Sequence, residues 1–306
     1  MPDFQLTTPV AFMIFNRPDT TERVFAEIAK AKPTKLLVVG DGARIGKQGE
    51  PEKVAAARAI IERVDWDCEV LTNLSETNLG CKRRMASGID WIFDSVEQAI
   101  ILEDDCLPDP SFFRFCEELL ERFRLDQRIG QISGINFDFG HRINSDSYYF
   151  SKYCHIWGWA SWRDRWINYY DVDMKHWPRI RDGGRLADLV SGPAEEKYWT
   201  GVFERTYQGQ IDTWDYQWMF ACMLQGRLTI LPNANLVSNI GFGPAATHTS
   251  RSGELSNLRA EPMQFPLRHP QGVFQCRTLD NRFFERFLGV PLYRRIRNRL
   301  RQLVSA

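Results

Sequence analysis

No G-x-G-x-x-G and no G-x-x-x-x-G-K-[ST] follows any apolar run in this 306-residue chain. A dinucleotide site and a P-loop are both disfavoured on that ground. The seven cysteines include no C-x-x-C pair, so neither a disulfide framework nor a zinc site is expected, and their usage fits a reducing compartment. Neither sign of charge is in excess, since 39 Lys plus Arg face 39 Asp plus Glu. Nothing in that balance points to nucleic acid as a partner. Met1 to Leu6 offers no basic stretch followed by an apolar run, and no window has the length of a membrane span. The expectation is a cytoplasmic protein without a signal peptide. No internal repeat is visible. Aromatic residues are plentiful, with 10 Trp and 20 Phe, and the tryptophans crowd the second half. The length suffices for a large core in one elaborated domain or two smaller ones.

Strand and helix patterns alternate through the first half. Val10 to Phe15 reads as a strand ended by Asn16-Arg17-Pro18. Asp19 and Glu22 then resemble a capping box, and Val24, Phe25, Ile28 and Ala29 form one helix face. Lys35 to Val39 is a second strand, closed by Gly40-Asp41-Gly42. A polar loop runs to Glu50, and Pro51 opens a second helix. Cys68 to Thr72 is a third strand, and Asn78-Leu79-Gly80 leads into a third helix. Ala99 to Leu102 is a fourth strand, and Ile129 to Ser133 a fifth. Such alternation argues for a parallel sheet with helices on both faces. Past Asn136 the alternation stops. Helices are expected near Tyr198 to Tyr207 and after Asp212, with a short strand at Leu228 to Leu231.

The fourth strand ends in Glu103-Asp104-Asp105, followed by a Pro108-Asp109-Pro110 stop. Three carboxylates are costly to bury, so they belong just past the strand end, where open α/β sheets bind ligands. Clustered acids raise one another's pKa unless a cation relieves them, and hard oxygen ligands suit Mg²⁺ or Mn²⁺. A solvated acidic turn is the alternative. Asn16, Arg17 and Asp41 fall at the same sheet edge, so all these groups can converge on one ligand.

This ordered series resembles GT-A-type glycosyltransferases, and within them the inverting N-acetylglucosaminyltransferase I type. The likeness runs from about Thr8 to Thr249. It includes Glu103-Asp104-Asp105 with the Pro-Asp-Pro-Ser-Phe-Phe that follows, Ile132-Ser133-Gly134, Gly158-Trp159, and Trp214-Asp215 with Trp218-Met219. It implies a GT-A-like, Rossmann-like α/β fold whose mostly parallel sheet carries helices on both faces. Residues 1–136 would form the nucleotide-sugar-binding half. Residues 137–270 would form the aromatic-rich acceptor and catalytic half of the same domain, and 271–306 a basic helical tail. The resemblance further implies a metal-dependent transferase moving a sugar from a nucleotide-diphosphate donor, with UDP the expected nucleotide, to a glycan or lipid-linked acceptor with inversion. Asn16, Arg17 and Asp41 would then hold the nucleotide, Asp104 the ribose and Glu103 the donor sugar, with Trp159 beside the donor. Asp105 would bind Mn²⁺ or Mg²⁺, joined by His248, and Asp215 would be the general base. The family's members are typically anchored in membranes, and Lys82-Arg83-Arg84 has no counterpart in its pattern.

Each assignment has a plainer alternative. Asp215 could cap the following helix, with Asp212 the competing cap. His248 could be a surface residue and Arg17 a surface charge at a helix start. The tryptophans could be core, although Gly158 between two of them suggests backbone close to a ligand. Lys82, Arg83 and Arg84 suit a solvated turn or phosphate contacts. Two other activities compete: a nucleotidyltransferase on sugar phosphates, and a non-catalytic glycan-binding protein. In the tail, Leu288, Leu292, Ile296, Leu300 and Leu303 form one helical stripe among arginines. That pattern suits peripheral contact with anionic lipid, or packing on the domain.

Overall fold

The computed structural model describes residues 4–137, 143–242 and 258–289. His248 and residues 290–306 of the basic tail lie outside the described residues. The first half runs β1 (Val10–Ile14), α1 (Pro18–Ala31), β2 (Lys35–Gly40), α2 (Glu50–Ile61), β3 (Glu69–Leu74), α3 (Gly80–Ser95) and β4 (Gln98–Glu103). Then come β5 (Cys106–Pro108), α4 (Ser111–Arg122), β6 (Ile129–Ser133), β7 (Tyr148–Ser151), β8 (Trp159–Trp162) and α5 (Arg163–Trp166). The remainder is α6 (Trp177–Asp182), α7 (Pro193–Tyr207), α8 (Asp215–Leu224), β9 (Leu228–Pro232), β10 (Val237–Asn239) and α9 (Arg277–Phe283).

Eight strands form one sheet in the order β3-β2-β1-β4-β8-β6-β9-β7. β3, β2, β1 and β4 are parallel neighbours, β8 runs antiparallel between β4 and β6, and β7 is an antiparallel edge on β9. The fold is thus mixed α/β with a mostly parallel sheet. Its central strands are buried on both faces, and successive side chains feed opposite cores. Val10, Phe12 and Ile14 of β1 join Val24, Phe25 and Ile28 of α1 and the Phe-rich face of α4. Ala11 and Met13 join Met85, Ile89 and Phe93 of α3 and Trp218 of α8. A third cluster packs α7, the outer face of α8 and Phe284 together.

The order 3-2-1-4 places the chain's change of direction between β1 and β4. That crevice, at the carboxyl ends of the strands, is where such sheets take ligands. β10 pairs antiparallel with β5, setting Asn239 opposite Cys106 at the mouth of the crevice.

Three local expectations are corrected. No capping box forms at Asp19: Arg17 occupies the cap and Pro18 the first turn, while the Thr20 and Thr21 hydroxyls bond back to the Arg17 carbonyl. The glycine-broken stretch around Trp159 holds a strand, β8, buried along its whole length. Its pattern is hard to read because both faces are covered, so no polar alternation marks it. Gly158 does adopt φ +66°, but an added Cβ there would lie 2.7 Å from Val237 and 3.3 Å from Leu102. The close approach at Gly158 is core packing rather than ligand contact.

Candidate active site

A cleft of about 710 Å³ opens over the β1–β4 crevice. Asn16, Arg17, Asp41, Glu103, Asp104 and Asp105 line one wall, and Asp215 lines the other. The expected strand-end residues are therefore brought together.

Arg17 follows β1 and Asp105 follows β4, and Arg17 Nη1 lies 2.7 Å from Asp105 Oδ2 across the crevice. Both side chains are less than a fifth exposed, at 17% and 18%. Arg17 is thus a paired, mostly covered residue of the cleft rather than a loose surface charge. The backbone at Gly241 passes over this pair. A Cβ there would sit 2.0 Å from Asp105 Oδ2 and 2.7 Å from Arg17 Nη1, so a side chain at this position would displace the pair.

Asp104 accepts a hydrogen bond from the Phe15 amide at 3.1 Å. Burial and the neighbouring Asp105 push its carboxyl up to about 7, against the opposing pull of Arg17. Burial likewise raises Glu103 well above the usual range, and Asp105, Asp104 and Asp215 add to the effect. Glu103 Oε1 is buried without a hydrogen-bond partner among the described residues.

Asp41 sits differently. Its carboxylate accepts from Gly42 N, Asn78 Nδ2, Leu79 N and Gly80 N at 2.9–3.2 Å. These donors include the first amides of α3, a natural place for an anion. Asp41 therefore braces the start of α3 against the end of β2.

Several site residues were missed from sequence. Glu50, the first residue of α2, is buried and accepts from Asn16 Nδ2 at 2.8 Å and from Arg44 N at 2.7 Å, with further bonds from the Arg44 guanidinium. It locks two cleft residues in place, and Arg44 holds its carboxyl down at about 2. The available signal was an arginine and a glutamate flanking a polar loop just after a strand end. Arg84 is not on a solvated turn: it is buried, donates to Asn73 Oδ1 at 3.0 Å and lines the cleft. Asp212 accepts from Lys82 N at 3.1 Å, so it serves the start of α3 rather than capping α8.

Asp215 is the first residue of α8, with Trp214 in the cap position. Its Oδ1 accepts from the Thr213 hydroxyl. Trp159 is corrected. Its ring is fully buried, with centroid distances of 5.6 Å to Trp214 and 6.1 Å to Trp218, and it does not line the cleft. It is core because β8 is covered on both faces.

The described residues hold no group of three or more His, Cys, Asp or Glu arranged to bind a metal. The residues still fit a cation that arrives with a diphosphate, because Mg²⁺-type ions commonly use one or two carboxylates and complete their shell with phosphate oxygens and water. The unpartnered Glu103 oxygen and the crowding of three carboxylates at the end of β4 are features that such a cation would relieve.

No protein-family model and no curated protein matches this chain. Among solved structures, the mannosyltransferase PcManGT from Pyrobaculum calidifontis, in complex with GDP-Man and Mn²⁺, matches at 15% identity and TM-score 0.37, over 53% of this chain and 46% of its own. S. aureus TarS 1–349 matches at 9% identity and TM-score 0.42, over 76% of this chain and 59% of its own. The chain thus spans about half of those two structures. The galactosyltransferase LgtC, in complex with donor and acceptor sugar analogues, matches at 10% identity and TM-score 0.38, over 73% of each chain. No described helix is long and apolar enough to cross a membrane.

Proposed function

We propose that this chain is an inverting glycosyltransferase that moves a sugar from a nucleotide-diphosphate donor, with UDP the expected nucleotide, to a hydroxyl of a glycan or lipid-linked acceptor. The observation that carries this reading is the Arg17–Asp105 pair at the β1–β4 switch point, facing Asp215 across a single cleft. Arg17 and Arg44 supply positive charge to the diphosphate end, and Asn16 and the Asp41-braced start of α3 shape the nucleotide end. Asp104 and Glu103 offer oxygens to the ribose and the donor sugar. Asp105 would be the protein ligand of Mn²⁺ or Mg²⁺. That ion supplies Lewis-acid stabilisation of the leaving diphosphate.

In the reaction the acceptor oxygen bonds to the anomeric carbon from the face opposite the diphosphate. The carbon–oxygen bond to the diphosphate breaks, and its electron pair leaves with the nucleotide. Asp215 takes the acceptor's hydroxyl proton, a role that typically contributes about 10²–10⁴-fold. A single displacement of this kind inverts the anomeric centre.

The test is thermal unfolding with UDP, GDP, CDP and their sugar conjugates, each with and without Mn²⁺. A ligand at a hundred times its Kd stabilises a protein by about 2.7 kcal/mol, or several degrees for a chain of this size. A shift with a nucleoside diphosphate, lost in Arg17→Ala, is the expected result. If no nucleotide moves the unfolding temperature, the proposal fails.

A further inference from the structure

Beside Asp215 lies a second hollow of about 170 Å³. Ile156, Trp157, Asp215 and Tyr216 line both it and the main cleft. The Asp215 carboxylate therefore stands at the seam between the two spaces. The rest of the hollow is built largely from rings, among them Phe137, His155, Tyr198 and Phe283. Phe137 stacks on Phe283 at 5.6 Å and 20°, and meets Trp157 edge-on at 5.4 Å and 81°. These four rings and Trp157 are all half-buried, so each keeps surface available.

Asp215 is the one formally charged side chain lining the hollow among the described residues. Burial drives His155 down to about 3, so its imidazole is neutral at ordinary pH. A phosphate or carboxylate group would meet repulsion from Asp215 and no compensating cation among the described lining residues. An alkyl chain would suit the rings but bring no hydroxyl to the seam. A sugar ring satisfies both requirements: it carries a C–H face for aromatic contact and hydroxyls around its edge. Tyrosines suit such a ligand because each pairs an apolar body with a polar tip. The small volume, about a quarter of the main cleft, suits one ring rather than a chain.

We infer that this hollow is the acceptor subsite and takes a single neutral pyranose ring, seated on Phe137 and its aromatic neighbours with one hydroxyl directed at Asp215. The inference rests on the transferase reading above and names the acceptor's chemical class. The sugar platform is thus Phe137, Tyr198 and Phe283, not the tryptophans of β8.

Saturation-transfer NMR on the full chain tests it. The probes are methyl β-glucopyranoside, methyl β-galactopyranoside and methyl 2-acetamido-2-deoxy-β-glucopyranoside, against hexanol and glucose 6-phosphate. UDP affinity is measured on the same samples. Saturation should reach the ring C–H protons of at least one neutral pyranoside. It should fall about fivefold or more in Phe137→Ala and in Leu288→Arg, a second lining residue of the hollow, with UDP affinity held within about twofold. The inference is overturned if UDP binds while no pyranoside is saturated. It is overturned equally if hexanol or glucose 6-phosphate is preferred, or if the pyranoside signal survives both substitutions. Pyranoside binding of the expected pattern without any nucleotide binding would support the hollow and sink the donor reading instead.

Discussion

The two walls of the cleft are built from opposite materials. On the wall formed by β1, β2 and β4, polar groups are bound to one another before any ligand arrives: Arg17 to Asp105, Asn16 and Arg44 to Glu50, Asn78 to Asp41. Across from it, Asp215 is set among Trp214, Tyr216 and Trp157, beside a hollow of rings. Paired charges hold a geometry and give an anionic, polar ligand a fixed frame without reorganisation. An aromatic wall around one carboxylate gives shape and exclusion of water instead. On the proposed reading, binding belongs to the first wall and proton transfer to the second.

The largest expected effect tests that division. Asp215→Asn keeps the shape and the Thr213 contact but removes the proton acceptor. Turnover with a competent donor and acceptor should drop about 10²–10⁴-fold, while nucleoside diphosphate affinity changes little, because the lost interaction belongs to the transition state. Steady-state kinetics beside calorimetry separates the two. A variant that keeps turnover but loses nucleotide binding would place Asp215 on the binding side and erase the contrast between the walls.

Glu50 sharpens the comparison from the other wall. Glu50→Gln preserves size but weakens hydrogen bonds to Arg44 and Asn16, for a cost of about 1–2 kcal/mol near neutral pH. The pH dependence has a definite sign. The folded carboxyl is held at about 2, below its ordinary 4.5. Its contribution is therefore present above about 4.5 and is lost as pH falls towards 2. The stability gap between the native chain and the variant should be full at neutral pH and close progressively through that acid window. Urea unfolding of both proteins at matched pH values measures it. A gap that stays constant with pH would mean that the charge on Glu50 does not hold this wall.

Legibility in the sequence follows the same division. The first wall could be read because it hangs on local patterns: each parallel strand is a short apolar run, and Arg17, Asp41 and Glu103 to Asp105 come immediately after one. Glu50 and Arg44 escaped because their bond closes across a loop with no periodicity. The second wall was harder. β7 is an antiparallel edge strand and β8 an antiparallel strand covered on both faces, and Trp159-Ala160-Ser161-Trp162 has no alternation to betray a strand. The resemblance, together with Gly158 between two tryptophans, made Trp159 a candidate for donor contact. Only the packing of Trp159 against Trp214 and Trp218 assigns it to the core. The hollow itself joins residues from positions 137 to 288, and no spacing rule brings such distant rings together.

The smallest expected effect lies on α3, where three adjacent basic residues look alike in sequence. A helix turns about 100° per residue, so Lys82, Arg83 and Arg84 cannot share a face. Arg84 is buried against Asn73 and lines the cleft, whereas Arg83 reaches outward to Asp173 at 3.1 Å, with side-chain exposures of 60% and 47%. An exposed pair of this kind gains little, because water and salt screen it and two long side chains must be ordered to hold it. Arg83→Ala should therefore shift stability by no more than about 0.5 kcal/mol and leave nucleoside diphosphate binding unaltered. Denaturant unfolding at low and high salt, followed by calorimetry with UDP, measures both. Should Arg83→Ala weaken nucleotide binding, the positive charge of the first wall would extend beyond its paired groups, and a diphosphate would be held by long-range field as well as by contact.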